Sequence, residues 1–447
     1  MSNWSRFQVI LLVFLGFLVV VRLFSESPPP HGAIMLSDLD VRELKQQAFQ
    51  VSGPLQVVIN AVGSIDERQG ATGLAAYSWI TRAHTGEVVW SMNAANTRQK
   101  GSIAYVDQEE LELDTGSYIL NFASYGQLQR RSNLTFRKDR RKWRVTIHSP
   151  DSKDALRAIT RPLGDNSDNE TWDAVSLRGE EKREILFEVH RPAEFEIHAI
   201  GQLGSQDEVQ PVDYSRIEDA VSGHVVWQLS RDNTDWAGGV QENRIFKGQR
   251  VLPPGVYRAI AVTNSAHHYD SWVGNPPFYP QGWGLNIRTS DTEEVSTFDP
   301  WMQRDPIIRV TQVGDDEQHV QPFVVEDTAA VVLYALGEIT GPDNGYDLAW
   351  LEKQEGAGES RVQWQMSYDS SVHAGGARKN RKEIEFLRLE PGVYRLHYES
   401  DGSHSYDDWN SPEPDYPERW GVAMFPVQSQ GAAITVGASP GVSTVPQ

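Results

Sequence analysis

Along most of the chain, apolar and polar residues alternate with a period of two, the mark of half-buried strands. In Glu194–Ile200, Phe195, Ile197 and Ala199 fall on one face, and Glu194, Glu196 and His198 on the other. Val225, Trp227 and Leu229 form a second apolar stripe. Pro254-Gly255-Val256-Tyr257 and Pro391-Gly392-Val393-Tyr394 lead into strands. Proline presets the first dihedral of a type II turn, and glycine supplies the positive one that follows. Thr115-Gly116-Ser117-Tyr118 keeps the glycine. Helical periodicity is confined to two short candidates, Asp38–Gln50 and Asp151–Ile159. The pattern predicts an all-β chain.

The strands recur. VVWSM at Trp90, VVWQL at Trp227 and VQWQM at Trp364 stand 137 residues apart. Phe49, Phe187 and Phe323 open similar strands, and Trp143, Trp283 and Trp420 begin the last ones, WRVTI, WGLNI and WGVAM. The second and third copies also share H-x-Y-D-x-W-x4-P-x2-P-x2-W-G, from His267 to Gly284 and from His404 to Gly421. They share A-G-G-x3-N-R as well, from Ala237 to Arg244 and from Ala374 to Arg381. The first copy lacks both. Joint loss predicts that the two segments meet in space, with Arg244 near Asp270 and Arg381 near Asp407.

Two antiparallel sheets packed face to face bury such stripes economically. The expected architecture is therefore three tandem antiparallel β-sandwich, jelly-roll-like repeats at 33–149, 170–290 and 305–428. Residues 1–30 precede them as a membrane helix and proline spacer, and 429–447 follow as a disordered tail. The strand ending L-x-P-G-x-Y, at Leu252–Tyr257 and Leu389–Tyr394, resembles the small β-sandwiches of exported bacterial proteins, including the pre-peptidase C-terminal type. That resemblance implies a sandwich fold and export. It implies an accessory module with no catalytic residue.

A length of 447 residues suits about three domains. A net charge of −20 argues against a nucleic-acid surface, because phosphate neutralisation needs clustered cations. The chain has no cysteine, which excludes disulfides, thiol nucleophiles and cysteine-ligated zinc. Arg6 precedes an apolar run, Val9–Val21, within a segment spanning 7–24. Its length fits an uncleaved signal-anchor, single-pass in a bacterial inner membrane, with the N-terminus cytoplasmic and the bulk periplasmic. Secretion after signal cleavage is the alternative.

The recurring loops are the candidate binding faces. In the second copy they offer His267, Tyr269, Asp270 and Trp272 with Arg244, and in the third His404, Tyr406, Asp407 and Trp409 with Arg381. Such aromatics, flanked by carboxylates, suit a protein partner or, alternatively, a glycan. The competing reading folds the aromatics inward under a long loop, which Trp283 and Trp420 at strand starts favour. Asp401, His404, Asp407 and Asp408 fit a metal poorly, and no metal or other cofactor is expected. The first copy carries a basic patch at Arg137, Lys138, Arg140, Arg141 and Lys142, suited to anionic lipid headgroups, to an acidic partner or to a solvated hairpin. A hydrolase using His404 and Asp407 is the remaining reading, without a candidate nucleophile beside them. The expected function is non-catalytic binding or scaffolding in the cell envelope.

Overall fold

A computed structural model of the chain describes all residues except 1–28, 41, 66–73, 100–103, 126–142, 153, 161–169, 205–212, 266, 357, 428–433 and 438–447. The expected membrane segment 7–24 and the five residues of the basic patch thus lie outside the described residues. Among the described residues, no helix is long and apolar enough to cross a membrane. The chain is all-β, built from antiparallel sheets, and its one described α-helix is the single turn Pro300–Gln303, capped by Asp299.

Contacts group the chain into two compact units. The first comprises 1–166 together with 238–240 and 272–279, and the second comprises the remainder.

In the first unit, Leu55–Ile65 lies between Arg144–His148 and Tyr105–Leu113, with Ile34–Ser37 at the outer edge. Gly116–Ser124 lies between Leu74–Arg82 and Glu43–Val51. A short pairing of Ser64 with Ala76 joins the two sets. In the second unit, Ala193–Gln202 lies between Gly284–Thr289 and Asn243–Leu252, and Gly255–Val262 between Tyr214–Asp219 and Lys182–Val189. The arrangement returns with Ala329–Gly341 between Gly421–Pro426 and Asn380–Leu389. Likewise, Gly392–Glu399 lies between Leu348–Gln354 and Gln318–Val325.

The three marker tryptophans occupy matching registers. Trp90 pairs with Ile80, Trp227 with Ile217 and Trp364 with Leu351, and the register shifts immediately after each of those partners. Each tryptophan points inward. Trp90 Nε1 donates to Glu109 Oε2 (3.0 Å), Trp364 Nε1 donates to Glu383 Oε1 (2.7 Å), and Trp227 packs 5.1 Å from Phe246. Strands from different sheets meet in one core, as where Phe187 lies 5.2 Å from Trp172 and 5.4 Å from Phe195. Alternation holds where it is clearest, since Phe195, Ile197 and Ala199 are all buried.

Two expectations fail. The helix candidates are strands, Glu43–Val51 and Leu156–Ile159, paired with each other. Their apolar spacing is satisfied by burying Phe49 and Val51 against the core, and the ladder outweighs a weak helical preference. The tail is not wholly without structure: Ile434–Val436 adds an antiparallel edge strand to Phe323–Val325. Its run of β-branched residues suits a pleated edge.

Candidate functional site

The two recurring segments do meet, although not through the expected ion pairs. In the third copy His404 is fully buried, and its Nε2 lies 2.6 Å from Asn380 Oδ1. In the second, His267 Nε2 lies 3.1 Å from Asn243 Oδ1. The asparagine of one motif therefore holds the histidine of the other. Asn380 Nδ2 also donates to Gly375 O (2.9 Å) and Pro412 O (3.0 Å), tying the glycine turn to the loop. Gly376 adopts φ +63°, and a Cβ there would collide with Glu413 O. The paired glycines permit this close approach.

Arg381 is engaged elsewhere. It donates to Ser371 Oγ (3.0 Å), Ser371 O (2.6 Å) and Tyr368 O (3.1 Å), and its guanidinium lies 4.6 Å from the Tyr368 ring centroid. Arg244 donates in the same way to Thr234 Oγ1 (3.1 Å) and to Thr234 O. Asp270 instead faces Arg178 Nε at 3.4 Å and His268 Nδ1 at 2.8 Å. Asp407 is exposed, at φ +68°. The expected Arg244–Asp270 and Arg381–Asp407 pairs are thus replaced. Each arginine turns towards the loop preceding its own strand, where backbone carbonyls satisfy its fork.

The loop aromatics fold inward. Trp409, Trp420 and His404 form a cluster of near-perpendicular rings, with Trp409 and Trp420 4.9 Å apart and His404 5.0 Å from Trp409. Trp283 is fully buried, 5.2 Å from His267. Trp272 is buried as well and belongs to the first unit. Tyr269 and Tyr406 are half-buried and bind through their backbone N–H groups, to Leu177 O and Val313 O, both at 3.0 Å.

Burial sets the protonation of these groups. It pushes His267 and His404 down to about 4, so both rings are neutral near pH 7. Two buried carboxyls escaped the sequence reading. Asp213 and Asp347 are pushed up to about 7 by burial, and each anchors the start of its loop. Asp213 Oδ1 accepts from Asn264 N (2.6 Å), and Asp347 Oδ1 from Asp401 N (2.9 Å). Ala76 takes the corresponding place in the first copy, its carbonyl facing Gly63 as those of Asp213 and Asp347 face Gly201 and Gly337. That substitution was the available signal.

A cleft of about 910 Å³ lies in the second unit. One wall is the outer sheet face carrying Lys182, Glu184, Arg216 and Arg258, and the other runs from Tyr368 to Glu385 and includes Arg381. Eight arginines and lysines line it against six carboxylates, a positive excess within an acidic chain. Lys182 Nζ bridges the walls by donating to Asp369 O (3.2 Å) and Ser370 O (3.0 Å), and burial lowers its pKa. Arg258 is enclosed by Glu184, Glu218 and Glu385 at 3.4 to 3.7 Å. Arg378 is exposed at the cleft and Lys382 half-buried in it, where Lys382 also acts electrostatically on Glu184.

Among the described residues, no group of three or more acidic or histidine side chains is placed to hold a metal ion. No protein-family model matches this chain, and no curated protein matches it.

Proposed function

We propose that this chain is a membrane-tethered, non-catalytic binding and scaffolding protein of the bacterial cell envelope. It is composed of three tandem β-sandwich copies behind an N-terminal anchor and recognises a protein partner. The matching strand orders and the three equivalent tryptophan registers support the triplication. The observation that carries the binding reading is the cleft, whose lining has a positive excess and places Arg378 and Lys382 beside the recurring Arg381. Charges of this kind steer and orient an acidic partner segment.

The burial of His404, and its engagement by Asn380, weighs against acid–base work at that ring. The burial of Trp272, and the packing of Trp409 edge-on against Trp420, weigh against a glycan reading of the loops.

The test is retention of the purified chain on arrays of acidic peptides and of envelope polysaccharides. Salt-sensitive retention on acidic peptides is expected, weakened in the Arg378→Glu, Lys382→Glu double variant with its circular dichroism unchanged. Retention on polysaccharide alone would replace the protein partner by a glycan. Turnover of an envelope polymer or ester, lost in His404→Ala, would replace binding by catalysis.

A further inference from the structure

One sheet face is covered by the chain's own stretch in the first copy, walls a cleft in the second and lies open in the third. The register fixes the equivalence. Trp79 immediately precedes Ile80, the partner of Trp90, and Trp350 immediately precedes Leu351, the partner of Trp364. Both therefore lie on the sheet face opposite Ile80 and Leu351, the same face of matching strands. Their cross-strand neighbours also match, Asn121 opposite Trp79 and His397 opposite Trp350.

In the first unit that face is closed by the proline–aromatic stretch Trp272–Tyr279. Trp79 is fully buried, with its ring 5.9 Å from Phe278 and its Nε1 donating to Phe278 O at 2.7 Å. Tyr77 Oη donates to Pro276 O (3.4 Å), and Tyr279 Oη donates to Ala83 O (3.2 Å). In the second copy the corresponding position is Arg216, which pairs with Ile260, and its face forms one wall of the cleft opposite the stretch Tyr368–Glu385.

Around Trp350 the face is open. Val320 is 48% exposed, and Gln318, Arg395 and Glu399 are exposed beside it. Trp350 Nε1 has no hydrogen-bond partner among the described residues. The Trp350 and His397 rings are parallel within 6°, with centroids 4.6 Å apart across neighbouring strands. Rings stacked in this way stand upright on the sheet and present edges and an N–H. A sugar needs a flat ring face to stack on, whereas a peptide carbonyl needs the N–H.

We infer that the face centred on Trp350 docks a proline–aromatic peptide segment of a partner protein, one of whose backbone carbonyls accepts from Trp350 Nε1. The chain's own Asn275-Pro276-Pro277-Phe278-Tyr279 supplies the template for such an occupant. A second copy of the chain suits the face less well, because the stretch that covers such a face is already in use on Trp79. Strand register alone assigns this face, independently of the cleft.

The test adds a synthetic peptide of residues 271–280 to the full chain and follows saturable binding by calorimetry. The expected result is binding that weakens roughly two- to tenfold in Trp350→Phe, which keeps a ring but loses the N–H. Binding is expected to vanish in Trp350→Ala and to persist in Trp79→Phe, all with circular dichroism unchanged. A peptide with both prolines replaced by glycine is expected to bind more weakly. No saturable binding, binding indifferent to both Trp350 variants, or binding lost only in Trp79→Phe overturns the inference. So does self-association that Trp350→Ala abolishes, which would make the occupant a second copy.

Discussion

His404 Nε2 lies 2.6 Å from Asn380 Oδ1, fully buried, and this contact joins the two motifs that the second and third copies share. Removing one partner leaves a polar group stranded in the core, which costs about 1–3 kcal/mol. Asn380→Ala and His404→Ala are each expected to lower stability by that amount in urea denaturation. The double variant should lose less than the sum, because the second change removes the stranded group. Strict additivity would show that the contact carries no energy.

The histidines make stability pH-dependent. Their folded pKa values of about 4 lie below the ordinary 6.5, so the unfolded chain takes up protons first. Their contribution is complete above pH 6.5 and is lost as pH falls towards 4. The stability gap between the wild type and a His267→Gln, His404→Gln variant is therefore expected to narrow over that range. Melting temperatures recorded from pH 7 to 4 measure it; a constant gap would contradict the assignment.

Asp213 and Asp347 act with the opposite sign. Burial raises both to about 7, so the folded chain binds their protons more tightly than the unfolded chain does. Their contribution is complete below about pH 3.8 and is lost as pH rises through 7. A variant with Asp347→Ala should lose less stability at pH 8 than at pH 5, where the wild-type carboxyl still contributes. Denaturation at the two pH values distinguishes this from a pH-independent packing loss.

Gly376 sits at φ +63°, where a Cβ would meet Glu413 O. Gly223 has φ +70°, and a Cβ there would meet no atom within 4 Å. Gly223→Ala is expected to cost about 1–2 kcal/mol for the left-handed backbone alone, and Gly376→Ala distinctly more. Equal losses in urea denaturation would show that the glycine turn and the loop do not press together.

Arg258 balances Glu184, Glu218 and Glu385. Arg258→Met leaves those carboxylates without their shared cation, an expected loss of about 3–5 kcal/mol. Because burial already raises the pKa of Glu184, protonation should relieve part of the loss at pH 5 relative to pH 8. Chemical denaturation of the variant at both values checks the magnitude and the sign.

The sequence by itself determined the strand class and the spacing of 137 residues between Trp90, Trp227 and Trp364, and it favoured inward packing for Trp283 and Trp420. Those properties follow from alternation and spacing, which are local. It also revealed that the two shared motifs belong together. Only the tertiary structure decided which residues join them, because the choice between Asn380 and Arg381 as the partner of the loop depends on which alternate strand face turns inward. A shift of one residue exchanges those faces. The openness around Trp350 was equally hidden, since Trp79 has the same local setting and differs only in what a distant stretch of chain lays over it.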